Sequence, residues 1–383
     1  MGGSPVFSKK KTMVVYNKYS ELERNAVIDV INRGTLSSFR GGQEVKQFEK
    51  EFANYIHCKY ALTTTSGTTA LHTAIASLCL PKGSEILVPA LTFVSTASVV
   101  IQEGLIPVFV DVDKHFCLDP CDLLKKITPK SRAIIPVHLY GHPAQMDKIM
   151  AIAHIHNLFV IEDACQSHGA TYRGQKTGTI GDIGCFSFYE TKNMSCGEGG
   201  MITCSNDELF AELCLIKEHG SPRAAKTWYQ YERLGYNYSM TELQAAIGRV
   251  QLRRLDENNN NRRKNAAYYR EVLSGLNIEL PKHADDVDCV YHNFPVLLPA
   301  ALGTYRDFIV DALRAEGVPI DIAYPQPLYR TQLFKEMHIT ANCPYVENVT
   351  SRLFTLFTDG AIDNETIELT GIALKKVLTF LHG

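Results

Sequence analysis

Between Tyr60 and Asp163 the sequence returns five times to a short apolar run, and segments of helical spacing fill the intervals. The runs are Tyr60–Thr64, Glu85–Pro89, Pro107–Val112, Arg132–Val137 and Leu158–Asp163. Strands that are apolar on both faces belong in a mainly parallel sheet covered by helices on each side. The intervening helices are expected after Ser66, over Thr92–Gln102 and over Gln145–His156. Two amphipathic helices precede the first run, at 20–33 and 43–57. In the second, Val45, Phe48, Phe52 and Ile56 recur at helical spacing. In such a sheet ligands collect beyond the carboxyl ends of the strands. Thr65, Pro89, Asp111, His138 and Asp163 all fall at those ends.

Past Met240 the pattern becomes one long helix, continuing to about Ser274. Its polar section, Asn258 to Lys264, reads as a solvated face between two domains. Beyond Pro281 a strand over Val290–Leu298, a helix over Arg306–Glu316, a strand over Val318–Ile322 and a helix over Asn364–Phe380 describe a smaller α+β domain. The expected division is 1–250 for a large domain with an N-terminal helical segment, and 251–383 for the small one. The fold class is thus α/β with a smaller C-terminal α+β domain.

Lys+Arg 39 against Asp+Glu 41 leaves a net charge of -2, with no general attraction to nucleic acid or anionic membrane. No apolar run nears the roughly 20 residues that span a bilayer. The N-terminus has no signal core, and Val6 argues against myristoylation at Gly2. Eleven cysteines lack CxxC spacing. The pair Cys117 and Cys121 has no partner pair for zinc, so no metal is expected. Unpaired thiols without a secretion signal point to the cytoplasm.

Lys192 lies in unusual company. Before it stands Cys185-Phe-Ser-Phe-Tyr-Glu-Thr, and after it comes a turn ending in Gly197-Glu-Gly-Gly200. An apolar, closed setting lowers an amine's pKa and makes it a nucleophile. An ordinary solvated lysine is the alternative. Ser66-Gly67-Thr68-Thr69 follows a strand and opens a helix, so free N–H groups and the helix dipole face an anion. The same residues also make an ordinary helix cap. Ser187 adds a donor. Asp163, at a strand end, suits the pyridine nitrogen of pyridoxal phosphate (PLP), and Gln166 suits the phenolate oxygen. Taken alone, Asp163 reads rather as a capping or salt-bridged residue. Phe93, just past a strand end, can cover the cofactor ring or belong to the core. His168 is left between a structural and a substrate-side role.

Together these motifs resemble the DegT/DnrJ/EryC1/StrS family of PLP-dependent sugar aminotransferases, of the aspartate aminotransferase fold (fold type I). The resemblance runs from about Tyr19 to about Phe334. It rests on Phe48-Glu49, Ser66-Gly67-Thr68, Pro89-Ala-Leu-Thr-Phe93, Asp111-Val-Asp113, Pro136-Val-His-Leu-Tyr-Gly141, Glu162-Asp-Ala-Cys-Gln-Ser-His-Gly-Ala170 and Phe186 to Gly200. It implies that Lys192 forms the Schiff base and moves a proton, that Asp163 and Gln166 hold the ring, and that Thr68, Thr69 and Ser187 hold the phosphate. It also implies a homodimer in which Asn237 reaches the partner's phosphate site.

The family includes dehydratases with a histidine in the lysine's place, so the lysine here implies transamination from glutamate or glutamine to a keto-sugar or keto-cyclitol. A PLP lyase and a non-catalytic PLP-binding regulator are the alternatives. Tyr324-Pro-Gln-Pro-Leu-Tyr-Arg330 carries Tyr329 where many nucleotide-sugar members have histidine. With Gly2–Val6, it resembles the branch that acts on inososes or makes aminohydroxybenzoate. Arg223 and Arg233 are candidates for a phosphate or a donor carboxylate, or for surface ion pairs.

Overall fold

The computed structural model describes residues 4–7, 18–222 and 229–382. Its main sheet has seven strands: β1 (Tyr60–Thr64), β2 (Glu85–Pro89), β3 (Ile106–Val110), β4 (Ser131–Ile134), β5 (Phe159–Asp163), β6 (Ile183–Ser187) and β7 (Gly200–Cys204). They lie in the order β1-β7-β6-β5-β4-β2-β3. β7 alone runs antiparallel to its neighbours, so the sheet is mainly parallel, as the apolar runs require. β6 and β7 were not legible as strands. Each contains or opens on glycine, which weakens a strand signal. Gly184 has a local reason. A Cβ there would meet Gly178 O at 2.2 Å and Thr203 Oγ1 at 2.4 Å.

Helices α1 (Glu21–Arg33) and α2 (Glu44–Ile56) precede the sheet, and α3 (Gly67–Ser77), α4 (Ser95–Gln102) and α5 (Met146–His156) cover it. Ser20 starts α1 with a capping box to Glu23, which satisfies two end groups at once. Val45, Phe48, Phe52 and Ile56 of α2 are all buried, as their spacing predicts. They form a core with Phe186 and Phe188, the Phe48–Phe188 centroids lying 5.2 Å apart. Each such ring contributes about 1.5–3 kcal/mol by leaving water.

Helix α6 (Glu242–Leu273) is continuous for 32 residues. Ala245 and Leu255 join the core beside α2. Ala266, Tyr269 and Leu273 join a second core, with α7 (Arg306–Ala315) and α8 (Asn364–His382). That second core backs a small sheet in which β10 (Leu353–Leu356) lies between β8 (Phe294–Leu297) and β9 (Ile320–Asp321). The cores interleave in sequence. Phe7 packs in the second core, whereas Leu328, Phe334 and Val346 join a third, which the main sheet forms with α3, α4 and α5. The polar stretch of α6 is not solvated throughout, since Asn259 and Arg262 are buried. Among the described residues no helix is long and apolar enough to cross a membrane, and all eleven cysteines are unbridged.

Candidate active site

β5 and β6 run side by side, with Asp163 opposite Cys185, so Asp163 and Ser187 leave the sheet at one rim. Because β7 is antiparallel, Gly200 enters at that rim and pairs with both Ser187 and Thr64. The chain from 188 to 199 is therefore an excursion over the rim, and it carries Lys192. Helix α3 starts there too. Ser66 Oγ accepts from Thr69 N at 3.1 Å, and Thr69 Oγ1 accepts from Ser66 N at 2.9 Å. The N–H groups of Gly67 and Thr68 have no helical carbonyl before them. Gly67 sits so close to β6 that a Cβ would stand 2.6 Å from Ser187 Cβ and 2.9 Å from Cys165 Sγ.

Hydroxyls tie this cradle to the carboxylate. Thr68 Oγ1 meets Ser95 Oγ at 2.6 Å, and the next residue, Thr96, donates to Asp163 Oδ2 at 2.8 Å. Cys165 N donates to Asp163 Oδ1 at 3.2 Å. Gln166 Oε1 accepts from Tyr140 N at 2.8 Å, and its Nε2 donates to Tyr324 Oη at 2.7 Å. Phe93, at the turn before α4, leaves its ring 59% exposed. An apolar ring left open beside buried polar groups is a surface for a flat ligand.

Burial lowers the Lys192 amine below the ordinary lysine range, against the opposing pull of Cys165 and Asp163. Its backbone is fixed from several sides. Lys192 N donates to Tyr189 O at 2.9 Å. The buried Asn193 donates to Asn259 Oδ1 at 2.9 Å and to Val290 O at 3.0 Å. Lys18 Nζ donates to Glu190 O at 2.8 Å and also to Lys192 O. A desolvated amine, a buried carboxylate, an open aromatic face and a glycine-closed helix start fit PLP. Asp163 would meet the ring nitrogen, Gly67 and Thr68 with Ser187 the phosphate, and Lys192 the carbonyl.

Several expected site residues lie elsewhere. His168 is 1% exposed, and its ring packs on Phe186 and Phe188 at 5.5 and 5.8 Å, which places it in the core. Tyr329 is 3% exposed and donates to Glu347 Oε1 at 2.7 Å, on the Phe109 side of the sheet. The residue of that stretch that reaches Gln166 is Tyr324. Arg233 makes a surface ion pair with Glu212 at 2.6 Å. The Thr69 hydroxyl serves the helix cap. Asn237 is exposed and bridges Glu218. Arg223 falls outside the described residues. Thr96, Asn193 and Tyr324 were missed. For Thr96 the hydroxyl-rich start of α4 was an available signal, but nothing local marks the other two.

The chain matches the model of the DegT/DnrJ/EryC1/StrS aminotransferase family over residues 17–373. GDP-perosamine synthase of Caulobacter vibrioides is 40% identical over 299 residues, or 77% of this chain and 80% of that protein. The UDP-N-acetyl-3-dehydro-alpha-D-glucosamine 3-aminotransferase of Acidithiobacillus ferrooxidans is 38% identical over 91% of each chain. Among solved structures, NtdA of Bacillus subtilis, with bound cofactor PMP (pyridoxamine phosphate), superposes with a TM-score of 0.87 at 31% identity, over 96% of this chain and 83% of its own. A match across nearly the whole chain, joined to a desolvated lysine and a carboxylate on one sheet rim, makes this protein a member of the DegT/DnrJ/EryC1/StrS family and a PLP-dependent aminotransferase.

Proposed function

We propose that the protein moves an amino group from glutamate or glutamine to the ketone of a nucleotide-linked sugar, as a cytoplasmic homodimer with shared sites. The observation that carries the reading is the Lys192 amine, lowered by burial and set above the rim where Asp163 and Gly67 converge.

When bound, PLP supplies an electrophilic carbon for the incoming amine and a ring that withdraws electrons from the bond to be broken. The chain's own residues do the rest. The first turn of α3 and Ser187 hold the phosphate. Thr96 and Cys165 N fix the Asp163 carboxylate towards the ring nitrogen. Gln166, held by Tyr140 N and Tyr324, has a second amide hydrogen for the ring oxygen. Phe93 covers one ring face. Lys192 Nζ, once its amine is free, would take the proton from the substrate carbon and deliver it to the carbon on the other side of the transferred nitrogen.

The acceptor class is supported by the two relatives at 38% and 40% identity, both named for nucleotide-linked sugars. The keto-cyclitol alternative leaned on Tyr329, which is buried against Phe109, and on the N-terminal glycines, which lie outside the described residues. Shared sites are supported by the Asn237 segment. Tyr236 reaches Glu103 at the end of α4, and Tyr238 reaches His72 in mid-α3, so within one chain Asn237 lies away from the first turns of both helices. Leu234 and Tyr229 beside it are 85% and 83% exposed.

The test is a panel of nucleotide-linked keto-sugars, keto-sugar phosphates and inososes offered to the pyridoxamine form. Reconversion to the PLP form by a nucleotide-linked ketone is expected. Reconversion by inososes alone would overturn the acceptor assignment.

A further inference from the structure

Outside the Lys192 rim, three histidines from distant parts of the chain come together. His115 follows β3, His142 follows β4, and His283 lies in the stretch that leads from α6 to β8. The His115 and His142 rings stack with centroids 4.5 Å apart, and His142 and His283 stand at 4.8 Å. One nitrogen from each lies within 4.8 Å of the others. They border a cavity of about 20 Å³, shared with Cys289 and Tyr291, which is room for about one water-sized body.

Among the described residues neither ring nitrogen of His283 has a hydrogen-bond partner, and those of His142, a residue only 7% exposed, have at most a weak one in the Pro143 carbonyl. A buried imidazole without a partner costs free energy, and native structures rarely leave one so. Asp113, the carboxylate nearest in sequence, does not serve these rings. Its Oδ1 accepts from His115 N and Cys117 N, and its Oδ2 from Gln145 Nε2. It shapes the turn that presents His115.

We propose that His115, His142 and His283 bind one divalent transition-metal ion of the zinc class, with solvent at the fourth position. Imidazole nitrogen is the ligand such ions favour. An imidazole is largely neutral at and above pH 7, which leaves each ring a lone pair to bind with. A tetrahedral ion with bonds of about 2.0–2.1 Å needs its nitrogens about 3.3 Å apart. His115 is half-buried, and its ring, within 8° of parallel to that of His142, must turn out of the stack for both lone pairs to meet one ion.

The ion would tie two loops of the large sheet to the stretch entering the small sheet. It is structural, because the cluster shares no residue with the Lys192 rim. The absence of zinc spacing among the cysteines stands. The histidines are too far apart in sequence to form a motif.

The test uses tag-free, PLP-loaded protein stripped with chelator, then titrated with Zn²⁺ by calorimetry and with Co²⁺ by visible absorption. One equivalent per chain is expected, with tetrahedral-strength cobalt bands and a rise in Tm on adding zinc. His115→Gln and His283→Gln should each weaken binding at least about tenfold and remove the cobalt bands, with the PLP absorbance unchanged. Cys289→Ser should leave binding intact. Failure to bind zinc at tens of micromolar, or binding unaltered in both histidine variants, would overturn the proposal.

Discussion

Glu162 and Asp163 are neighbours on β5, both buried, and as consecutive strand residues they face opposite sides of the sheet. Glu162 is saturated by its own chain. It accepts from Gly178 N at 2.8 Å, Ile180 N at 2.6 Å and Gly181 N at 2.7 Å, and meets His138 Nε2 at 2.9 Å. His138 Nδ1 accepts from Ala144 N at 3.0 Å, so the proton sits on Nε2 and points at Glu162. Asp163 receives one hydroxyl and one amide hydrogen. A carboxylate offers about four acceptor positions. Glu162 fills four within the fold and clamps a loop, whereas Asp163, with Thr96, Cys165 N and the Cys165 thiol against it, keeps capacity for a ligand. Spare hydrogen-bonding capacity, more than burial, separates the site from the scaffold here.

The largest effect expected on the site side is from Lys192→Ala, which should lower turnover by at least about 10⁴-fold. Turnover near the wild-type level, without added amine, would remove the assignment. The two carboxylates should then part company. Asp163→Asn should lower kcat/KM by about 10²-fold or more, with stability changed by less than about 1 kcal/mol. Glu162→Gln sets an amide against backbone N–H donors and should cost about 3 kcal/mol of unfolding free energy, with kcat of the folded fraction within about twofold. If both variants lose only stability, the contrast fails.

The tyrosines of one stretch give a smaller version of the same contrast. Tyr324→Phe removes a partner of Gln166 and should slow turnover by about fivefold, the worth of one ordinary hydrogen bond. Tyr329→Phe should cost about 1 kcal/mol of stability through Glu347 and leave kinetics unchanged. Equal kinetic losses in both would return Tyr329 to the site.

The smallest effect concerns pH. Burial lowers Lys18 from 10.5 to about 8. Above about pH 8 the folded chain releases this proton while the unfolded chain keeps it, so stability rises with pH until the unfolded lysine titrates. Denaturant unfolding of wild type and Lys18→Gln between pH 7 and 10 should show a larger gain in the wild type.

Much of the rim was legible because each of its groups carries a local mark. Lys192 stands between an apolar run and glycines, Asp163 ends an apolar strand, and Gly67 follows a strand and opens a helix. Tyr324 and Tyr329 carry no such mark. They lie five residues apart in one Pro-rich stretch, and Tyr324 turns inwards on a backbone with φ 63°, which no periodicity reveals. Asn259 was hidden for a different reason. It is one of four consecutive asparagines, and only the phase of α6 decides that it alone is buried. His168 stayed open between two roles, since its place beside a motif suggested chemistry, and the structure packs its ring in the aromatic core.

The central claim is that Lys192, and not its half-buried neighbour Lys18, attaches the cofactor. Borohydride reduction of the PLP-loaded protein, followed by peptide mass spectrometry, tests it directly. The account predicts one phosphopyridoxyl group per chain, on Lys192. Label on Lys18 or another lysine, with Lys192 unmodified, would contradict it.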